Sequence, residues 1–516
     1  MSETPRPRRR KRAWVVALAV AMIACEVVLQ WPRAREPIRI SPQTTVVKGP
    51  RNADGTIDYL AVLNSACTKG VTRQNNAGPL LLGALGPEGD KYWQWYYSTA
   101  VQALGVEDPP RPKACYTPWA AWLHDHQVAA SQPTAGAWSE ETVTGLPLLG
   151  TLLTQLQSGD RVPLLRAWLA DNQPALDQIV AATRMPRYYL PLFAPDDEPQ
   201  VAGAHQMPMM AFRDTAHALG VRAMLKLRAG KVEAAWQDIL AIHRLARLTS
   251  QGPTLTQQLV ANAIESWAID AGTIVATRGH LSARAARSML RDLLDLPPPC
   301  DMVSAIDRYD RFMALDLVMS LYRGGQLEGK KLDSGDWDWN ELLLELNGWY
   351  DRAVDVMRIE RLRDRKRADQ ALQADLQAEF DRVSGKVRTV LVGLGGRLTR
   401  KARTRTLGAL LMSMLMPSAL ATSQVRDATE TMMDMEKTAF ALAAFRAEHG
   451  RWPKALSELT PGYLSAVPID RFGEGPLIYR PTPRGYVLYS VGPNQQDDGG
   501  IMSQMAKEGD LVVTVK

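Results

Sequence analysis

The sequence predicts a mainly α chain in three parts: a single N-terminal transmembrane helix, an irregular helical body, and a small C-terminal α+β domain with a short antiparallel sheet. Three observations predict it. A nearly uncharged apolar run from Ala13 to Trp31 follows a cluster of six basic residues. Apolar residues then recur at helical spacing from about Asp58 onward, and the last segment alternates β-branched and aromatic residues between Gly/Pro turns.

The first part rests on length and charge. Arg6, Arg8, Arg9, Arg10, Lys11 and Arg12 resist translocation, and about 19 residues at 1.5 Å each just span a hydrocarbon core of roughly 30 Å. The expectation is an inner-membrane, single-pass protein with a cytoplasmic N-terminus and its bulk in the periplasm. Met22-Ile23-Ala24 before Cys25 imitates a lipoprotein box, but apolar residues continue through Val27, Val28 and Leu29, which suits an uncleaved helix with Glu26 snorkelling at its outer end.

Composition bounds the rest. A chain of 516 residues, 46% hydrophobic, has material for two to four domains with sizeable cores. Of the net charge of +6, six basic residues against Glu3 place +5 before Ala13, leaving about +1 for everything after it. Nucleic-acid binding is therefore excluded as a partner class, and the basic tail reads as a signal attracted to an anionic leaflet. The four cysteines, at 25, 67, 115 and 300, show no zinc spacing; Cys67 and Cys115 are read either as one disulfide or as two free thiols.

Prolines 32, 37, 42 and 50 with Gly49 predict an extended stalk over 32–57, between the basic tail at 1–12 with the membrane helix at 13–31 and a helical body at 58–350. Within the body, helices are predicted at 58–69, 79–85, 91–104, 211–228, 231–248, 254–278 and 282–295. Gly230 and Gly279 each separate two amphipathic helices, as a left-handed closing residue would, and stacked hairpins or an irregular helical domain both explain this. A charged amphipathic helix and linker follow at 351–404, with Leu372, Leu376, Phe380, Val383 and Val387 as one narrow apolar stripe. The run Leu407–Ala421 is too short and too polar to span, and reads as buried in protein or resting on a membrane surface. The α+β domain occupies 405–516.

In that last domain an apolar segment ends at Leu415-Met416-Pro417-Ser418-Ala419-Leu420 and a long helix runs through Met432, Phe440 and Phe445. Next come His449-Gly450-Arg451-Trp452-Pro453, a short helix at 455–459, and Val467-Pro468-Ile469-Asp470-Arg471-Phe472-Gly473. A strand at 477–480, a hairpin loop from Pro481 to Gly485, and Tyr486-Val487-Leu488-Tyr489-Ser490-Val491-Gly492 complete the pattern. This stretch resembles the globular domain of the major pseudopilins of type II secretion. Two departures stand out: Arg471 follows Asp470 where the family has Asp-Pro, and the comparable helix is internal, which implies the fold without polymerisation. The resemblance further implies calcium in the loop after the last long strand, held here by Ser490, Asn494, Asp497 and Asp498. Asp58-Tyr59-Leu60, Gly70-Val71-Thr72, Pro195-Asp196-Asp197-Glu198-Pro199 and Gly252-Pro253-Thr254-Leu255 give the whole chain a looser similarity to large bacterial envelope proteins, which adds no mechanism.

Candidate chemistry is sparse. His124-Asp125-His126 offers two metal ligands, but i and i+2 diverge on a helix. Asp214 and His217 share a helical face, with His205 before them and Asp238 and His243 on the next helix; an enzyme would bring at least two of these five together in a pocket. Gly393-Leu394-Gly395-Gly396 lacks the βαβ context of a dinucleotide site, and no P-loop or Gly-x-Ser-x-Gly occurs. Pro195–Pro199 is an acidic turn. Trp93, Trp95, Tyr96, Tyr97, Tyr116, Trp119, Trp122, Trp337 and Trp339 line either a ligand groove or the cores. No catalytic residue or organic cofactor is assigned. The expectation is a membrane-anchored interaction or scaffold protein that binds a protein partner in the envelope, with no enzymatic activity assigned. Its alternatives are an envelope hydrolase and an accessory of a type II secretion or pilus apparatus.

Overall fold

In a computed structural model, the described residues are 36–106, 109–126, 162–194, 201–204, 208–299, 301–324, 326–327, 330–331, 337–393, 400–415, 418–473, 475–501 and 509–515. The chain is mainly helical, with a small three-stranded antiparallel sheet near its C-terminus. In order come α1 (Tyr59–Cys67), α2 (Gly78–Leu85), α3 (Lys91–Ala103), α4 (Trp119–Asp125), α5 (Val162–Asp171), α6 (Gln173–Ala182), α7 (Pro208–Arg228), α8 (Val232–Thr249), α9 (Leu255–Arg278) and α10 (Ala283–Leu294). A short α11 (Met302–Ala305) leads through a π-turn at Ile306–Asp310 into α12 (Arg311–Tyr322). The two-residue strands β1 (Gln326–Leu327) and β2 (Lys330–Lys331) pair before α13 (Trp339–Arg358), α14 (Leu362–Gly393), α15 (Arg400–Leu415) and α16 (Ser418–His449). Strands β3 (Ile478–Pro481), β4 (Tyr486–Ser490) and β5 (Leu511–Val515) close the chain.

These elements sort into two compact units that interleave along the sequence, so the stretch 58–350 contributes to both. One unit holds 1–58, 313–352 and 370–416. Its core is Leu315, Val318 and Met319 of α12 with Trp339, Leu342, Leu343 and Leu346 of α13 and Leu407 and Met412 of α15, all buried. Residues 36–57 do not form the predicted extended stalk. Asn347 of α13 donates to the carbonyls of Gln43 and Thr44, Asn340 bonds the Arg39 amide and the Pro37 carbonyl, and the Ser41, Thr44 and Thr45 hydroxyls close a turn on themselves. Short polar side chains satisfy the backbone that a stalk would leave to water.

The other unit holds 59–312, 353–369 and 417–516. Helices α7, α8 and α9 pack consecutively, and α16 lies across α9 and α10. Thr254 and Gln257 form a capping box that fixes the start of α9, and Ser282 caps α10. Gly230 takes the left-handed conformation that ends α7 (φ +72°), as predicted; Gly279 does not (φ −78°), and His280 makes the left-handed turn instead (φ +46°). Trp236 of α8 meets Phe440 of α16 edge-to-face at 5.0 Å. The sheet order is β3-β4-β5, with Tyr479 opposite Leu488 and Leu488 opposite Val513, and it packs on α16 through Tyr486, Leu488 and Val513. The charged amphipathic helix predicted within 351–404 is not continuous from 351: one helix ends at Arg358 and the next begins at Leu362, and Arg365 turns back across the break to bond the Ile359 carbonyl. Leu372 and Leu376 of its stripe are buried; the side chains of Val383 and Val387 lie outside the description.

The membrane assignment is corrected. No helix among the described residues is long and apolar enough to cross a membrane. The longest, α14 and α16, are interrupted by charges throughout, and residues 13–31, the basis of the single-pass inner-membrane, periplasmic expectation, lie outside the described residues. Within Leu407–Ala421, Leu407, Ala409, Leu411 and Met412 are covered by protein and Leu410 is partly exposed, while the side chains of 413–421 lie outside the described residues.

Candidate functional site

The surface of the larger unit is indented by two clefts beside the N-terminal half of α16. The first, about 530 Å³, has apolar walls from Leu293, Leu296, Pro297, Met302 and Met433. The second, about 1390 Å³, is lined by Arg361, Arg363 and Arg367 at the start of α14 and by the turn Ile469–Gly473. Arg426, Glu430, Asp434 and Arg471 line both, so the clefts adjoin. Three of those four stand one turn apart on α16, at i, i+4 and i+8, as one helical face requires.

Charges in the shared wall neutralise one another. Arg471 reaches Glu430 at 3.2 Å and Asp434 at 3.7 Å, while Lys437 reaches Asp434 at 3.7 Å. Buried Arg365 pairs with buried Asp427, and Arg426 approaches the same carboxylate at 3.5 Å. Asp470 fixes the turn that presents Arg471: it accepts from the Phe472 and Val491 amides at 2.9 Å and from Ser490 Oγ at 2.7 Å. Ile469 projects from this turn with 61% of its surface exposed.

Behind the smaller cleft runs a buried ion chain. Arg247 donates through both terminal nitrogens to Glu265, at 2.7 and 3.0 Å. His243 Nδ1 sits 3.0 Å from Glu265 Oε1, and its Nε2 lies 3.5 Å from Glu436 Oε1. Burial opposes charge on His243, but the carboxylates of Glu436 and Glu265 outweigh it and hold its pKa up to about 9. Burial also works against Glu265, yet Arg247 and His243 keep it below the usual carboxylate range. Burial lifts Glu436 above that range, with His243 offsetting only part, and burial beside Glu436 pushes Asp270 up to about 8.

The sequence candidates fare differently. His243 joins this chain, but Asp238 pairs with Arg222 and Lys226, His217 rests on Trp267 at 4.4 Å, and the Asp214 carbonyl accepts from Tyr116. His205 and the acidic turn 195–199 lie outside the described residues, as do Cys25, Cys300 and positions 394–396. None of Asp214, His217, Asp238 and His243 lines either of the two clefts. His124 faces solvent beside Asp125, while His126 stacks on Trp122 at 4.0 Å and turns to Asp171, so the two imidazoles diverge. Trp93, Tyr96, Tyr97, Trp122 and Trp339 are buried in the cores; Trp95 stays partly exposed against Phe193. Cys67 and Cys115 are free thiols.

The implied calcium set does not fit. Ser490 Oγ is fully buried against Asp470, away from the loop surface. Asp497 accepts from the Tyr489 hydroxyl and the Gly499 amide and faces Arg480 at 3.7 Å, and Asp498 accepts from Asn494 at 2.9 Å. No group of three or more His, Cys, Asp or Glu among the described residues is placed to hold a metal ion. Sequence reasoning missed Arg247, Glu265 and Glu436. Arg247 and His243 stand four apart on one face of α8, which was a readable signal; Glu436 is nearly 200 residues away, which was not.

Comparison with protein-family profiles, curated proteins and solved structures finds no match to this chain.

Proposed function

We propose that this chain is an interaction protein whose adjoining clefts take an extended segment of a partner protein, and that its C-terminal part is a pseudopilin-like fold built into a helical body. The single observation behind the docking reading is the shared wall of Arg426, Glu430, Asp434 and Arg471. It offers both signs of charge, Arg426, Glu430 and Asp434 along one helical face and Arg471 from the adjacent turn, next to apolar surface and an exposed Ile469. A polypeptide carries that same mixture of apolar side chains, amides and charges. Catalysis finds less support. His243 is fully buried and Glu265 is occupied by Arg247, so neither is free to meet a substrate.

The pseudopilin-like reading is supported by the order of long helix, Gly450, short 3₁₀ turn and antiparallel sheet packed on the helix. Helices α9 and α10 cover another side of α16, which accords with a fold that does not polymerise. That order also favours the narrower reading, an accessory of a secretion or pilus apparatus whose partner is a pseudopilin.

A photo-crosslinking residue placed at position 469 tests the docking reading. A discrete adduct that disappears on Arg471→Glu, and that a control probe at the distant, exposed Tyr92 does not give, is the expected result. Equal adducts from both positions contradict it. Purified major pseudopilin added to the same reaction tests the narrower reading.

A further inference from the structure

We propose that the buried chain of His243, Glu265 and Glu436 is an alkali-sensitive latch: its proton holds α16 against α8 and α9, and loss of that proton loosens this helix before the rest of its unit opens. Each helix contributes one charged side chain to a site from which water is excluded. His243 and Glu436 are fully buried and Glu265 nearly so. Neither carboxylate oxygen of Glu436, nor Nε2 of His243, has a hydrogen-bond partner. Compensation for the Glu436 charge therefore comes from the imidazolium 3.5 Å away.

The surrounding groups make this proton decisive. From α8 the chain is faced by Arg247, which is committed to Glu265. From α9 it is faced by Glu265 and by Asp270, whose own pKa is held up to about 8 by burial and the Glu436 charge, and from α16 by Lys437, whose ammonium is drawn to Asp434. Helix α7 presents His217 to Trp267, with Arg213 acting on that same imidazole, and α10 presents Arg287 to Glu448. Deprotonating His243 leaves Glu436 an uncompensated buried carboxylate beside two more acids, an arrangement that is relieved by admitting water. Gly272 shows how little room there is for rearrangement: a Cβ there would lie 1.7 Å from Glu436 Oε1. The pKa of His243, held up to about 9, agrees with a latch closed at neutral pH.

Hydrogen exchange of the intact chain at pH 7.0 and pH 9.5, corrected for intrinsic rates, tests this. Peptides from the middle of α16 should lose at least about tenfold in protection at the higher pH, the population change of a ten-to-one shift, while α2 and α6 keep theirs. Glu436→Gln keeps the shape and removes the charge, and should abolish the difference; His243→Gln should leave α16 exchanging fast at both pH values. Equal α16 protection at the two pH values overturns the latch, as does parallel loss in α2 and α6, or a pH difference that survives Glu436→Gln. Should either variant fail to fold, the unmodified protein's pattern of α16 against α2 and α6 decides alone.

Discussion

Gly272 and Glu436 are packed so closely that any side chain at 272 would collide with the carboxylate: a Cβ would stand 1.7 Å from Oε1 and 2.9 Å from Cδ. Glycine inside a helix ordinarily costs about 0.5–1 kcal/mol relative to alanine. Here that cost is offset by the approach of α16 to α9. Gly272→Ala should therefore destabilise by about 1–3 kcal/mol in urea titration, despite the gain in helix propensity. In a Glu436→Ala background the same change should be neutral or stabilising, a coupling that a double-mutant cycle measures. Additive effects would show that the two residues do not share space.

Asp238 is the counter-ion for two cations at once. Arg222 donates to both of its oxygens, at 3.0 and 2.7 Å, and Lys226 approaches at 2.6 Å, while the carboxylate is 3% exposed. Asp238→Ala leaves mostly buried Arg222 with only the exposed Asp177. A loss of about 3–5 kcal/mol is expected from chemical denaturation, and a loss under 1 kcal/mol would mean that water replaces the carboxylate.

Asp470 holds the turn that carries Ile469 and Arg471 through two amides and the Ser490 hydroxyl. Asp470→Ala should cost about 2–4 kcal/mol by the usual scale for hydrogen bonds to a charged group, and should weaken partner binding with it. Ser490→Ala removes one of the three bonds and also the acceptor of the Gly492 amide, and should cost about 1–2 kcal/mol, less than Asp470→Ala, in thermal melts.

His217 makes folding sensitive to acid. Burial, then the nearby charge of Arg213, brings its pKa down to about 4. The unfolded chain takes up this proton below about 6.5 and the folded chain does not, so stability falls as pH drops from 6.5 to 4, by up to about 3 kcal/mol. His217→Gln should remove that slope from denaturation midpoints measured at pH 7 and pH 5. His243 has the opposite sign: its stabilisation is complete below about 6.5 and disappears as pH rises through about 9. A slope that persists in His217→Gln would place the acid sensitivity elsewhere.

Local features of the fold were legible in the sequence, and long-range ones were not. Helices α7 to α10 fall within about three residues of their predicted bounds, because apolar spacing and caps such as Thr254 and Ser282 act over one turn. The hairpin β3–β4 was readable from Pro481–Gly485, whereas β5 pairs with β4 across more than 20 residues and was not recognised. Gly279 misled because the left-handed position moved one residue on, to His280. Prolines in 36–57 suggested an extended chain, but Asn340 and Asn347, some 300 positions later, fold it. The site shows the same limit. His243 was legible as a residue of interest, but its meaning depends on Glu265 and Glu436, which only tertiary packing brings to it.

The most direct measurement of the central claim is hydrogen exchange of the chain with and without the partner captured through residue 469. Slowed exchange is expected in 426–437 and 469–473, two of the segments that line the adjoining clefts, with little change in α2 and α6. Protection confined to other surfaces, with these two segments unchanged, would contradict it.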